Sequence, residues 1–269
     1  MKNKTKNKVR ALILILLSCA AISCATKQEP KIEDESLKKK FLKIQKYYSS
    51  ENWETRLTAV KSSKEFLNTS FDSEAMAILL MAVKDPHPKI KIEALRVLST
   101  TTPFSALGIL REIALSEDNL NVKAAAIETL GEYKMASNSE IFLKNINHRD
   151  WLIREAAFRA LLKIEPMELQ KNYIGHIIKG INDKNIAVKI AILLNIKIKD
   201  QLLYDKISEI IQNRKTKTSL LEAALIAIVG YTLDDVTKER IVELLTHRNK
   251  KIRILSLRVL KEQNQNGKD

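Results

Sequence analysis

Three stretches decide the fold: Ile90-Lys91-Ile92-Glu93-Ala94-Leu95-Arg96-Val97-Leu98, Val122-Lys123-Ala124-Ala125-Ala126-Ile127-Glu128-Thr129-Leu130 and Ile153-Arg154-Glu155-Ala156-Ala157-Phe158-Arg159-Ala160-Leu161. Each opens on a β-branched residue and a basic residue, and each runs on through Ala and Leu. The apolar anchor, the residue four past it and the residue eight past it share one face of a helix. The residue at plus four is Ala in all three, small enough to let a neighbouring helix come close. The residue at plus eight is Leu98, Leu130 or Leu161.

Working outward, the pattern recurs. Val188-Lys189-Ile190-Ala191-Ile192, Leu221-Glu222-Ala223-Ala224-Leu225 and Ile252-Arg253-Ile254-Leu255-Ser256 follow it, and Thr55-Arg56-Leu57-Thr58-Ala59 is a degenerate first copy. Counted on the second residue, the copies fall at 56, 91, 123, 154, 189, 222 and 253, in steps of 31 to 35. That period is too long for one helix and right for a helical pair. A second amphipathic run precedes each copy: 36–48, 73–83, 104–115, 138–146, 169–181, 202–211 and 236–245. Pro86, Pro88, Pro103 and Pro166 lie between these runs or at their edges, where a helix tolerates them. With 6 Gly and 5 Pro in 269 residues, a turn-rich sheet sandwich is excluded. The aromatic share of 5% implies a core of aliphatic side chains and Ala.

The motif resembles the HEAT repeat family, in particular its short bacterial type. The resemblance covers about residues 37–261 and implies an all-α fold, an α-α superhelix (HEAT-like solenoid) of about seven two-helix repeats. The family's turn Asp is matched by Asp85, Asp118, Asp150 and Asp183, with Asn249 standing in near the last copy. Its Val-Arg opening is matched with Lys often replacing Arg. The sixth copy departs most, with Lys217-Thr218-Ser219 at the turn and Glu222 in the basic slot.

The N-terminus reads differently. Residues 1–10, MKNKTKNKVR, are a positive segment, and residues 11–26, ALILILLSCAAISCAT, carry no charge. Sixteen residues reach about 24 Å as a helix, short of a bilayer span, so the pattern predicts a cleavable export signal. Its end resembles a bacterial lipobox, which implies a diacylated N-terminal Cys. Two sites compete: Leu16-Leu17-Ser18-Cys19 has the preferred Leu, while Ala21-Ile22-Ser23-Cys24 leaves a longer apolar run and no stray thiol. The expected organisation is a signal peptide over 1–23, a tether over 24–35, a repeat domain over 36–261 and a flexible tail over 262–269. No structural disulfide is available, so packing alone must hold the fold.

The formal charge is +14, and removing the five charges of Lys2, Lys4, Lys6, Lys8 and Arg10 leaves about +9. Such a chain could bind nucleic acid, anionic lipid or an acidic partner. The basic column Arg56, Lys91, Lys123, Arg154, Lys189 and Arg253 has two readings. It is a stripe for an anionic ligand, or its members pair with a turn Asp of the same or next repeat. The second is the expectation here, with Asp150 as partner of Arg154. Trp53 and Trp151 stand three residues before Arg56 and Arg154. A Trp at a turn edge caps the seam between helices or anchors a partner. Of the four His, His148 and His247 lie in equivalent turns three repeats apart, too distant to share a metal.

The chain contains no HExxH, paired Cys, Gly-rich phosphate loop or nucleophile elbow. The expectation is therefore a non-enzyme without metal or cofactor: a lipid-anchored scaffold of the cell envelope that binds a protein partner. The lax lipobox and the Lys, Asn and Ile bias resemble a spirochaetal lipoprotein, which implies the outer membrane or cell surface, with the periplasmic face as alternative. A nucleic-acid or other anionic-ligand binder is the rival reading, disfavoured by the export signal. A structural module of envelope assembly is a third.

Overall fold

The computed structural model describes residues 35–266. Cys19, Cys24, the signal peptide and all but the last residue of the tether lie outside those residues. The chain divides between Val97 and Leu98 into two compact units.

The first unit holds α1 (Glu35–Tyr48), α2 (Trp53–Ser63), α3 (Asp72–Ala82) and most of α4 (Pro88–Thr101). The second holds the end of α4, then α5 (Leu107–Ser116), α6 (Leu120–Glu132), α7 (Ser139–Asn145), α8 (Trp151–Leu161), α9 (Ile174–Ile181) and α10 (Ile186–Asn195). It continues through α11 (Gln201–Gln212), α12 (Thr218–Ala227), α13 (Asp235–Glu243) and α14 (Lys250–Asn266). The described helices thus form seven pairs, and the second helix of every pair carries the repeated motif. Among the described residues the only β pairing is an isolated bridge between Met135 and Glu165.

Local chemistry sets the helix starts. Asn52, Asn119, Asp150 and Asn185 each precede a motif helix and accept backbone N–H groups of its first turn through their side-chain oxygens. Such a cap satisfies donors that have no intrahelical partner. α4 instead begins on Pro88, which needs no N–H partner at that place.

The repeat register follows burial. Ile90, Val122, Ile153, Val188 and Ile252 are fully buried anchors, while Thr55 of the degenerate copy is only half-buried. The plus-four residues Ala59, Ala94, Ala126, Ala157, Ile192, Leu225 and Ser256 are all fully buried. At plus eight the pattern splits. Leu98, Leu130 and Leu161 are fully buried, but Ile196, Val229 and Leu260 are not. α10 and α12 end early: Ile196 leaves the helix in an extended conformation, and Ile228 already caps α12. Helices approach closely at two glycines. A Cβ on Gly131 would lie 2.9 Å from the Cα of Ala160, and one on Gly180 would collide with Ile192 and Phe158.

Two boundaries differ from the sequence reading. The run beginning at Leu169 is a 3-10 segment, Met167–Tyr173, before α9 starts at Ile174. At the other end α14 continues to Asn266, past the repeat boundary expected at 261. The side chain of Gln263 explains part of this extension: it donates to Tyr231 O at 2.6 Å and accepts from Leu233 N–H at 3.2 Å, tying the last turns to the preceding loop.

Candidate functional site

The turns between paired helices use one recurring device. In six of the seven copies the residue five before the anchor accepts the backbone N–H of the residue two further on. Ser50, Asp85, Glu117, His148, Asp183 and His247 all do so, at 2.7–3.2 Å. In the sixth copy that residue, Thr216, donates to Ile210 O instead. A hydroxyl, a carboxylate or an unprotonated Nδ1 serves equally, because the turn needs only an acceptor. This is what His148 and His247 do. Among the described residues no group of three or more His, Cys, Asp and Glu is placed to hold a metal ion.

On this frame the basic column divides. Arg154 is buried and uses its whole guanidinium. Its Nη1 donates to His148 O and Arg149 O at 2.8 and 3.0 Å, while Nε and Nη2 clasp the Asp183 carboxylate at 2.7 and 2.8 Å. Arg56 repeats the arrangement: Nη1 on Ser50 O and Glu51 O, Nε and Nη2 on Asp85 at 2.8 and 3.1 Å. Each Arg therefore staples its own turn and grips the turn of the next repeat, 29 residues on. Two-point Arg–carboxylate pairing of this kind fixes angle as well as distance. Burial raises the Asp183 carboxyl, but the hydrogen bonds from Arg154 and from the Asn185 N–H outweigh it, and the group titrates below its ordinary range.

The expected pair of Arg154 with Asp150 is corrected. The Asp150 carboxylate is already committed to the Leu152 N–H at 2.8 Å as the cap of α8. The other members differ again. Lys123 Nζ donates to Leu115 O at 2.9 Å, within its own repeat. Lys91 is half-buried and engaged, and Lys189 is half-buried. Glu222, which breaks the column, pairs with Lys251 of the following repeat at 2.6 Å. Arg253 keeps its two carbonyl bonds, to His247 O and Arg248 O at 2.9 and 3.2 Å, but meets no carboxylate among the described residues. Turn Asp118 is exposed; Glu117 and Asn119 take the acceptor and capping roles there.

The two tryptophans occupy equivalent positions in unequal surroundings. Trp53 stacks flat on His87, with ring centroids 4.1 Å apart and planes 2° from parallel, and Lys89 Nζ lies 5.0 Å from its centroid. Trp151 has Asn185 where Trp53 has His87, and it remains 42% exposed. It borders a depression of 400 Å³ that it shares with Arg149, Asp150, Arg154, Lys184 and Asn185. Sequence reasoning named Trp151 but missed Arg149 and Lys184, because surface Lys and Arg are common and nothing in the motif marks them.

The HEAT repeats family matches residues 42–131, about a third of the chain. No curated protein matches. Two solved structures resemble it: an engineered protein (TM-score 0.55, 18% identity, covering 83% of this chain and 68% of its own) and the Escherichia coli protein YibA (TM-score 0.55, 18% identity, 77% and 74%). At that identity the likeness speaks to the fold, and with the seven helical pairs it leads to one description: the chain is an all-α, HEAT-like solenoid.

Proposed function

We propose that the chain is a non-catalytic scaffold, held to a membrane of the bacterial envelope by a lipid on Cys24 or Cys19, that binds an acidic protein partner along the turn edge around Trp151. One observation carries the binding reading. A large aromatic ring stands exposed beside two basic side chains, on a turn that the Arg154–Asp183 clamp holds rigid. Buried anchors of this composition dominate protein interfaces, and a fixed base lowers the ordering cost of binding.

The anchoring part rests on the N-terminal sequence. No helix among the described residues is long and apolar enough to cross a membrane. A lipid-modified Cys24 or Cys19 in mass spectra of the mature chain is the expected result, and an intact, unacylated Met1 would refute it. A spirochaetal envelope, outer membrane or cell surface, is the location the sequence bias favours.

The binding part is tested in intact cells with a photo-crosslinking residue at Trp151 and, for comparison, at Trp53. Capture at Trp151 alone, lost in the Arg149→Glu/Lys184→Glu double variant, is the expected outcome. Equal capture at both positions, or none at Trp151, would overturn it. Salt-sensitive binding to heparin that depends on the same two residues, without protein capture, would favour the anionic-ligand reading.

A further inference from the structure

The last described repeat presents the same face that earlier repeats use to receive a neighbour, and that face is only half satisfied. In the second unit α6 packs on α8, α8 on α10, α10 on α12 and α12 on α14. The residue four past the basic position lies on the receiving side. Ile127, Phe158 and Leu193 hold that place in α6, α8 and α10 and are at most 2% exposed, while Ile226 in α12 is 36% exposed. Its equivalent in α14, Leu257, is 46% exposed, and Ile254 one turn earlier is 56% exposed. On the partner helix, Ser208 of α11 is buried while its equivalent Val242 of α13 is 48% exposed.

Beside this apolar patch stands Arg253. In the equivalent Arg154, two carbonyls hold Nη1, and Nε and Nη2 grip the next turn's Asp183. Arg253 has the same two carbonyl bonds, so its guanidinium is set in the same way. Its carboxylate-facing edge meets no acceptor among the described residues.

We infer that the face formed by Arg253, Ile254, Leu257 and Val242 is a docking surface for an acidic helical element of a partner protein, one that places a turn carboxylate on the Arg253 Nε–Nη2 edge and apolar side chains on Leu257. Charge selects the partner. From His247 to Gln263 the chain carries Arg248, Lys250, Lys251, Arg253, Arg258 and Lys261 against Glu262 alone. A second copy stacked head to tail fits poorly. Its first repeat offers Ser50 where a carboxylate is needed, and its α1 brings Lys38, Lys39, Lys40, Lys43 and Lys46. The inference shares with the proposed function only the idea of a protein partner. It concerns a different surface, so failure here leaves the Trp151 surface untouched.

The probe is a synthetic analogue of residues 174–195, the segment that gives Arg154 its carboxylate, with Lys179, Lys184 and Lys189 replaced by Glu. It is titrated into the isotopically labelled full chain while the Arg253 Nε–H and the Ile254 and Leu257 methyl resonances are followed. The expected result is a saturable shift at all three. Affinity should fall at least about tenfold when the peptide carries Asp183→Asn, fall equally in Arg253→Met protein, and fall no further when both changes are combined. The peptide change leaves the protein untouched, so misfolding of a variant cannot imitate this result. No shift at millimolar peptide, equal binding of the Asp and Asn peptides, or insensitivity to Arg253→Met would overturn the inference.

Discussion

The turns at 50–56 and 148–154 carry the same fastening and the same tryptophan position, yet they end in different states. In the first, Trp53 is closed over by His87 and Lys89 of the next turn. In the second, Asn185 replaces His87 and Trp151 keeps its outer face open. The clamp beneath is nearly superposable in its bonding: four hydrogen bonds from one guanidinium in both cases. The comparison separates two properties that the motif had merged. The arginine is structural in both turns, whereas the tryptophan is structural only where the next repeat supplies a ring to cover it.

The largest effect should come from the clamp itself. Arg154→Met removes four hydrogen bonds and leaves Asp183, whose side chain is 10% exposed, without its counter-charge. Breaking a buried pair from one side costs about 3 kcal/mol. Arg253→Met loses only two bonds, to carbonyls on a half-exposed turn, and should cost about 1 kcal/mol. Urea unfolding followed by tryptophan fluorescence checks both. Similar losses for the two would mean that the Asp183 contact contributes little.

Helix approach comes next. Gly131→Ala would force a Cβ against the backbone of α8, which cannot move aside, and should cost about 2 kcal/mol. Gly180→Ala meets the ends of Ile192 and Phe158, both buried, and should cost a similar amount, about 2 kcal/mol. Ala157→Leu overfills a fully buried slot and belongs with Gly131→Ala. Equal stability of wild type and Gly131→Ala in chemical unfolding would place the α6–α8 contact elsewhere.

The tryptophans differ by less. Trp53→Ala loses a stacked ring and should cost about 2 kcal/mol, against about 1 kcal/mol or less for Trp151→Ala. Partner capture should move the other way, lost with Trp151→Ala and kept with Trp53→Ala. Thermal unfolding and crosslinking yield, measured on the same two variants, check this inversion.

The smallest effect is on pH. The Asp183 carboxyl titrates below its ordinary range in the folded chain. Its contribution is therefore complete above the unfolded value of about 3.9 and is lost as pH falls through the lower folded value. Asp183→Asn should flatten the acid limb of the stability curve below about pH 4. Denaturant midpoints between about pH 5 and 2.5 test it, and parallel acid limbs would contradict it.

Much of the fold was legible because the second helices repeat a burial pattern: an anchor, a small residue at plus four and a large one at plus eight. What the period could not give was the partner of each arginine. Asp150 is four residues from Arg154 and Asp183 is 29, so proximity in sequence pointed to the wrong carboxylate. The geometry of the turn decides otherwise, since Asp150 is consumed as a cap while Asp183 faces the preceding repeat. The turn histidines were legible in position but not in role: Ser, Asp, Glu and His share the acceptor slot, and such a mixture leaves no consistent letter. The exposure of Trp151 depends on the residue facing it from the next turn, Asn185, which no reading of its own turn could reveal.

The central claim is that Arg154 fastens its own repeat to the next one. A double-mutant cycle on the full chain tests it most directly, pairing Arg154→Met once with Asp183→Asn and once with Asp150→Asn in urea unfolding read by tryptophan fluorescence. The account predicts a coupling of about 2 kcal/mol with Asp183 and less than about 0.5 kcal/mol with Asp150. A larger coupling to Asp150, or none to Asp183, would contradict it.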